Sequence, residues 1–140
     1  MKIILIGNKQ RGISCLEKLN DSNHEIISVI GNKLTKYENY FVRKAKQIGF
    51  IALQPENIND SKFVHKLLSL EPDLIVIAGY SQILKKSLLS LPKYGCINLH
   101  GGKLPKFRGS SPMNWALINN EKQFTITIIK VDTGVDTGDI

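Results

Sequence analysis

Cysteine is nearly absent from this sequence: Cys15 and Cys96 are the only two in 140 residues. They stand far apart and in no metal-ligand spacing, which excludes a disulfide scaffold or a thiolate metal site and leaves two reduced core thiols. Long apolar runs are missing too. The start, MKIILIG, meets Asn8 and Lys9 too soon for a signal peptide or a membrane span. A cytoplasmic protein with no membrane partner is therefore expected. Arginine is scarce, at 3 of the 19 basic residues, and no run of lysines exceeds two. Scattered lysine is a poor reader of bases and phosphates. The formal charge of +7 accordingly reads first as that of a generally lysine-rich protein, with an anionic small-molecule substrate as the second explanation, ahead of nucleic acid. Linkers, repeats and low-complexity segments are also lacking, so one domain over residues 1–140 is expected.

What is present is an alternation. Residues 2–6 (KIILI), 24–30, 50–53 and 73–80 (DLIVIAGY) are short apolar runs with the look of buried strands. Between them, 12–20, 37–49, 59–70 and 82–91 carry apolar residues at helical spacing. A strand at 95–100, a helix at 110–120 and a strand at 123–131 follow. Strands alternating with helices imply βαβ crossovers, hence an α/β fold with a mostly parallel sheet. Ligands of such sheets bind beyond the carboxyl ends of the strands. The final Gly138-Asp139-Ile140 reads as the beginning of another strand. That suggests a chain truncated at its C-terminus or an unusually short version of its fold.

Two phosphate-binding signatures are absent. Gly7 and Gly12 have the Gly-x4-Gly frame of a phosphate loop, but Ile13 stands where the lysine is needed, and Gly-x-Gly-x-x-Gly does not occur. Nucleoside triphosphatase and nicotinamide chemistry are thereby set aside. The turn can still hold an anion on free helix N–H groups, which makes Asn8, Lys9, Gln10 and Arg11 candidates for substrate binding. In CINLHGGKLPKFRG (96–109), Asn98 and His100 are two apart on a strand and point to one face. An amide donor beside an imidazole suits oxyanion stabilisation and proton movement. The same pair could equally satisfy turn backbone groups. His24 and His65 have no such company and read as surface residues.

The chain ends in VDTGVDTGDI, with Asp132, Asp136 and Asp139 close together. A carboxylate near a histidine can orient it and raise its basicity. Asp-Thr-Gly alone suggests an aspartic protease, but that architecture is all-β and needs much chain after the motif. The α/β pattern excludes it.

Taken together, CINLHGGKLPKFRGSSPMNWAL and TITIIKVDTGVDTGDI resemble the catalytic core of formyltransferases that use N10-formyltetrahydrofolate. The resemblance runs over residues 1–140. It implies a Rossmann-like sheet with helices on both faces, with 1–140 as the N-terminal part of the family's usual domain. It implies that the substrate amine attacks the formyl carbonyl while Asn98 and a protonated His100 stabilise the oxyanion. Asp136 would keep His100 charged and relay protons through water. AGYSQIL resembles the segment that holds the pterin, so Ser81, Gln82, Ile83 and Leu84, with Val131 and Asp132, are the implied folate contacts; Asp139 lies past the site. No metal is implied. The family's acceptors are methionyl-tRNA, glycinamide ribonucleotide and nucleotide-linked amino sugars. RGSSPMNWAL looks most like the sugar enzymes, so the expected acceptor is an anionic nucleotide-linked amino sugar of bacterial surface polysaccharide synthesis. The two other amines stand as alternatives, and a truncated, inactive folate- or nucleotide-binding remnant is the non-enzyme one. A homodimer stays open.

Overall fold

The computed structural model describes residues 1–33 and 38–140. Eleven elements follow in order: β1 (Lys2–Gly7), α1 (Lys9–Asn20), β2 (Glu25–Gly31), α2 (Tyr40–Gln47), β3 (Ala52–Leu53), α3 (Ser61–Leu68), β4 (Leu74–Ala78), α4 (Lys86–Leu89), β5 (Cys96–His100), α5 (Pro112–Ile118) and β6 (Thr127–Lys130). The strands form one sheet in the order β3-β2-β1-β4-β5-β6. Neighbours pair in parallel except β5 with β6, which are antiparallel. The chain thus starts in the middle of the sheet, winds outward to β3, crosses back to β4, and finishes at the opposite edge. The result is an α/β fold with a mostly parallel sheet.

Apolar residues cover both faces. Ile3, Leu5 and Val29 meet Ile13 and Leu16 of α1 and Phe41, Val42 and Ala45 of α2 on one side. On the other, Ile4, Ile6, Ile30 and Ile75 meet Ile58, Leu67 of α3 and Leu88 of α4. Period-two alternation along β1 sends successive side chains to opposite cores. Cys96 is buried in the second core with its thiol pushed up to about 12 by desolvation, so it is inert there. No helix among the described residues is long and apolar enough to cross a membrane.

Gly7 and Gly12 have a packing role. A Cβ on either would stand 3.0 Å from the Phe41 ring, which α2 presses against the β1–α1 turn. Missing side chains here make room for an aromatic one.

The strands and helices read between residues 2 and 131 are all present, but several are shorter. The helix read at 82–91 survives only as Lys86–Leu89. Carboxamides hold the residues before it out of helical geometry: Asn32 Oδ1 accepts from the Ser81 N–H, and Asn59 bonds the Ile83 carbonyl and the Lys85 N–H. The strand read at 123–131 is ordered as a strand only from Thr127, opposite His100, where β5 ends and offers no further partner. Helix α2 begins behind Asn39, whose side chain caps the Val42 N–H. Tyr37, the first residue of the helix read at 37–49, lies outside the described residues. Gly138–Ile140 is not a strand here; its contribution is the Asp139 carbonyl, which accepts the Lys130 N–H at 2.8 Å.

Candidate active site

Parallel pairing sets the carboxyl ends of β1, β4 and β5 side by side: Gly7 is opposite Ala78, and Ile77 is opposite Asn98. Beyond those ends lies a cleft of about 800 Å³, within the range of small-molecule sites. Its wall includes Asn8, Lys9, Gln10, Arg11, Ser81, Gln82, Ile83, Leu84, Asn98, His100, Val131, Asp132 and Asp136. Every residue read from the sequence as a catalytic, folate or substrate contact therefore borders one cavity, although their side chains do different things.

Asp136 is the hub. Its Oδ1 accepts from Asn98 Nδ2 at 3.4 Å, and its Oδ2 lies 3.3 Å from His100 Nδ1 and accepts the Gly109 N–H at 2.9 Å. The side chains of His100 and Asp136 are only 6% and 13% exposed, so this contact is little screened. The other ring nitrogen, Nε2, is 2.6 Å from the Phe107 carbonyl. Both nitrogens of His100 thus face oxygen acceptors. A neutral ring has one N–H and serves one of them; the imidazolium serves both. The contact to Asp136 is also longer than the 2.7–2.9 Å of a tight charged pair, which leaves its N–H able to share with an incoming oxygen. Thr127 steadies the turn after His100: its hydroxyl donates to the Gly102 carbonyl and accepts the Leu104 N–H.

Asp136 adopts φ 51°, in the left-handed region. That conformation costs a residue with a Cβ roughly 1 kcal/mol or more, least for Asn and Asp. The turn that imposes it is tightly built. A Cβ at Gly138 would collide with the Lys130 carbonyl oxygen, and one at Gly134 with the Thr137 hydroxyl.

At the first loop, Lys9 is exposed with φ 51°, and Arg11 extends across the β5 end to donate from Nη1 to the Leu99 carbonyl at 3.3 Å. Asn8 is buried and its side chain does not cap α1. On the opposite wall Ile83 is 69% exposed while Leu84 is buried. Gln82 does not offer its carboxamide to the cleft: Oε1 accepts the Ile58 N–H and Nε2 donates to the Glu56 carbonyl, both at 2.9 Å. Gln82→Ala should leave the Ile58 N–H unpaired, while water takes over the exposed Glu56 carbonyl, and cost about 1–3 kcal/mol, readable as a shift of the urea midpoint at constant slope. A midpoint unmoved would mean these bonds are idle. Asp132 likewise turns its carboxylate onto its own loop.

The sequence reading did not single out Asn32, Arg108, Gly109, Ser110, Ser111 or Tyr80. Asn32 follows β2 and binds the wall through Ser81; its signal was a polar residue at a strand's carboxyl end. Tyr80 has a buried hydroxyl without a hydrogen-bond partner among the described residues, and desolvation pushes its phenol up to about 12. Arg108 was visible as part of KFRG; its Nε donates to the Asp136 carbonyl at 3.0 Å.

The family model described as formyl transferase matches residues 1–140. The methionyl-tRNA formyltransferase of Alkaliphilus oremlandii is 41% identical over all of this chain and 47% of its own length. That of Clostridioides difficile is 38% identical over all of this chain and 48% of its own. The chain therefore spans about half the length of these curated relatives. Among solved structures, phosphoribosylglycinamide formyltransferase from Streptococcus pneumoniae TIGR4 superposes with a TM-score of 0.81 at 28% identity. The match covers 99% of this chain and 78% of that one.

Proposed function

This chain belongs to the formyl transferase family, and from that premise we propose that it transfers a formyl group from N10-formyltetrahydrofolate to a primary amine. The observation that carries the mechanism is the convergence of Asn98, His100 and Asp136, at 3.4 and 3.3 Å, on one cleft wall. The cleft fits the formyl donor in size and in chemistry. An apolar wall with exposed Ile83 faces a polar one carrying an amide, an imidazole and a carboxylate. Ser81, Gln82, Ile83, Leu84, Val131 and Asp132 would line the donor's side, with no metal taking part.

Bound formyl-folate supplies an activated one-carbon unit at the oxidation level of formate. The acceptor nitrogen forms a bond to the formyl carbon and the carbonyl oxygen becomes negative. Asn98 Nδ2 and the His100 Nδ1–H are the donors for that oxygen. Preorganised donors of this kind supply about 3 kcal/mol each. As the carbon–N10 bond breaks, the acceptor gives up a proton and N10 takes one. Asp136 is placed to accept the first, directly or through water, and the second returns by the same route. The acceptor then carries an amide, and tetrahydrofolate leaves.

For the acceptor we assign the α-amine of methionyl-tRNA, in place of the nucleotide-linked amino sugar that the RGSSPMNWAL segment suggested. Support comes from the 36–41% identity along essentially the whole chain to methionyl-tRNA formyltransferases. The lysine excess, +7 overall, also suits a polyanionic acceptor; with Lys9 and Arg11 on the cleft wall, it reverses the weight given to scattered lysine above. A discharge assay with N10-formyltetrahydrofolate should formylate methionyl-tRNA, with the product identified by mass. Nucleotide-linked amino sugars and glycinamide ribonucleotide should stay unmodified. Formylation of a sugar alone would move the assignment to that acceptor, and consumption of no amine would end the enzymatic proposal.

A further inference from the structure

The doubled Asp-Thr-Gly contains one carboxylate that faces the cleft machinery and one that does not. Asp132 Oδ1 accepts the Gly134 N–H at 2.9 Å and the Thr137 hydroxyl at 2.7 Å. These two bonds span the turn on both sides of Asp136. The hydroxyl bond, first of all, holds the Asp132 carboxyl below its ordinary 3.8. A third tie comes from outside the turn, where Arg108 Nε donates to the Asp136 carbonyl at 3.0 Å. The Lys130 N–H to Asp139 carbonyl bond closes the neck. A left-handed residue at φ 51° persists only where its surroundings over-determine it, and these bonds surround Asp136 on every side.

We infer that Asp132 and Arg108 are positioning residues: they clamp the turn so that the Asp136 carboxylate reaches Asn98 and His100 together. This rests on the catalytic reading above and goes beyond it. It moves Asp132 from the list of folate contacts to the support of the carboxylate. Misplacement of a catalytic group by about 1 Å lowers rate by up to roughly a hundredfold. The sign of the pH effect follows from the lowered carboxyl: its folded value lies below 3.8. The clamp is therefore fully charged above that value and is lost only as pH falls through the lower one. Asp132 therefore contributes no inflection near neutrality.

The test compares D132A, D132N, T137V and R108A in steady-state formyl transfer, with the imidazole signals of His100 followed by NMR on the same proteins and on D136N as the reference. D132A should lower kcat by roughly ten- to a hundredfold with KM for the formyl donor within about threefold. D132N keeps an acceptor oxygen and should recover most of the rate. T137V and R108A should each give a smaller fall in kcat. In D132A the His100 signals should move toward those of D136N, and in D132N they should stay near wild type. A D132A variant with normal kcat but raised donor KM would overturn the clamp and make Asp132 a ligand contact. Unmoved His100 signals would also overturn it. If wild type transfers no formyl group, the catalytic reading fails, and the His100 signals of the four variants still decide the clamp.

Discussion

His100→Ala is expected to lower formyl transfer by roughly a thousandfold or more, while affinity for the formyl donor changes by no more than about threefold. The reason is the number of roles gathered on this ring. It faces Asp136 through Nδ1 and anchors the Phe107 carbonyl through Nε2, so alanine removes an oxyanion donor and a support of the loop at once. Asn98→Ala removes one neutral donor and should cost about a hundredfold. Asp136→Asn keeps shape but not charge, and should fall near the histidine variant. Because the three act as a unit, the double variant His100→Ala/Asp136→Asn should be little worse than either single one. Rates from single-turnover quench and donor affinity from fluorescence titration measure this. Wild-type turnover in His100→Ala would dismantle the mechanism; strictly additive losses would mean the two side chains act apart.

Phe41→Ala should destabilise the fold by about 3–5 kcal/mol, a large share of the roughly 5–15 kcal/mol that holds a domain together. Phe41 is 1% exposed, and its ring lies against Gly7 and Gly12, neither of which has a side chain to collapse into the vacated space. Leucine in its place fills part of the volume and should lose less. Urea denaturation followed by circular dichroism reads both, with the slope constant and the midpoint shifted. The loss should also reach the cleft, because Asn8 and Lys9 stand directly on the turn that Phe41 supports. A loss under about 1 kcal/mol would show that the site refills.

Periodicity carried much of the fold. The apolar run of β1 and the helical spacing of Ile13, Leu16 and Leu19 are local facts, and they fall where strand and helix occur. Element ends were less legible. Helix α4 is short because Asn32 and Asn59, far away in the chain, hold the preceding backbone; no window on residues 82–91 contains that information. The packing role of Gly7 and Gly12 was equally hidden, since Phe41 lies on another helix. Their Gly-x4-Gly spacing gave no hint of the ring that the structure places against them.

In the site, the sequence determined which residue types were available and, through the period of a strand, that Asn98 and His100 share a face. It also determined the glycines without which the last turn could not close. Between the two aspartates, the family resemblance pointed to Asp136, and the tertiary structure supplies the physical distinction. Both open the same tripeptide, so local chemistry cannot separate them. The antiparallel return of β6 along β5 and the fold-back of the following turn bring Asp136 to Asn98, 38 positions earlier in the chain, and leave Asp132 facing its own loop. Contacts of that range depend on how whole elements pack, which is why the order of residues named the candidates and the folded chain assigned their places.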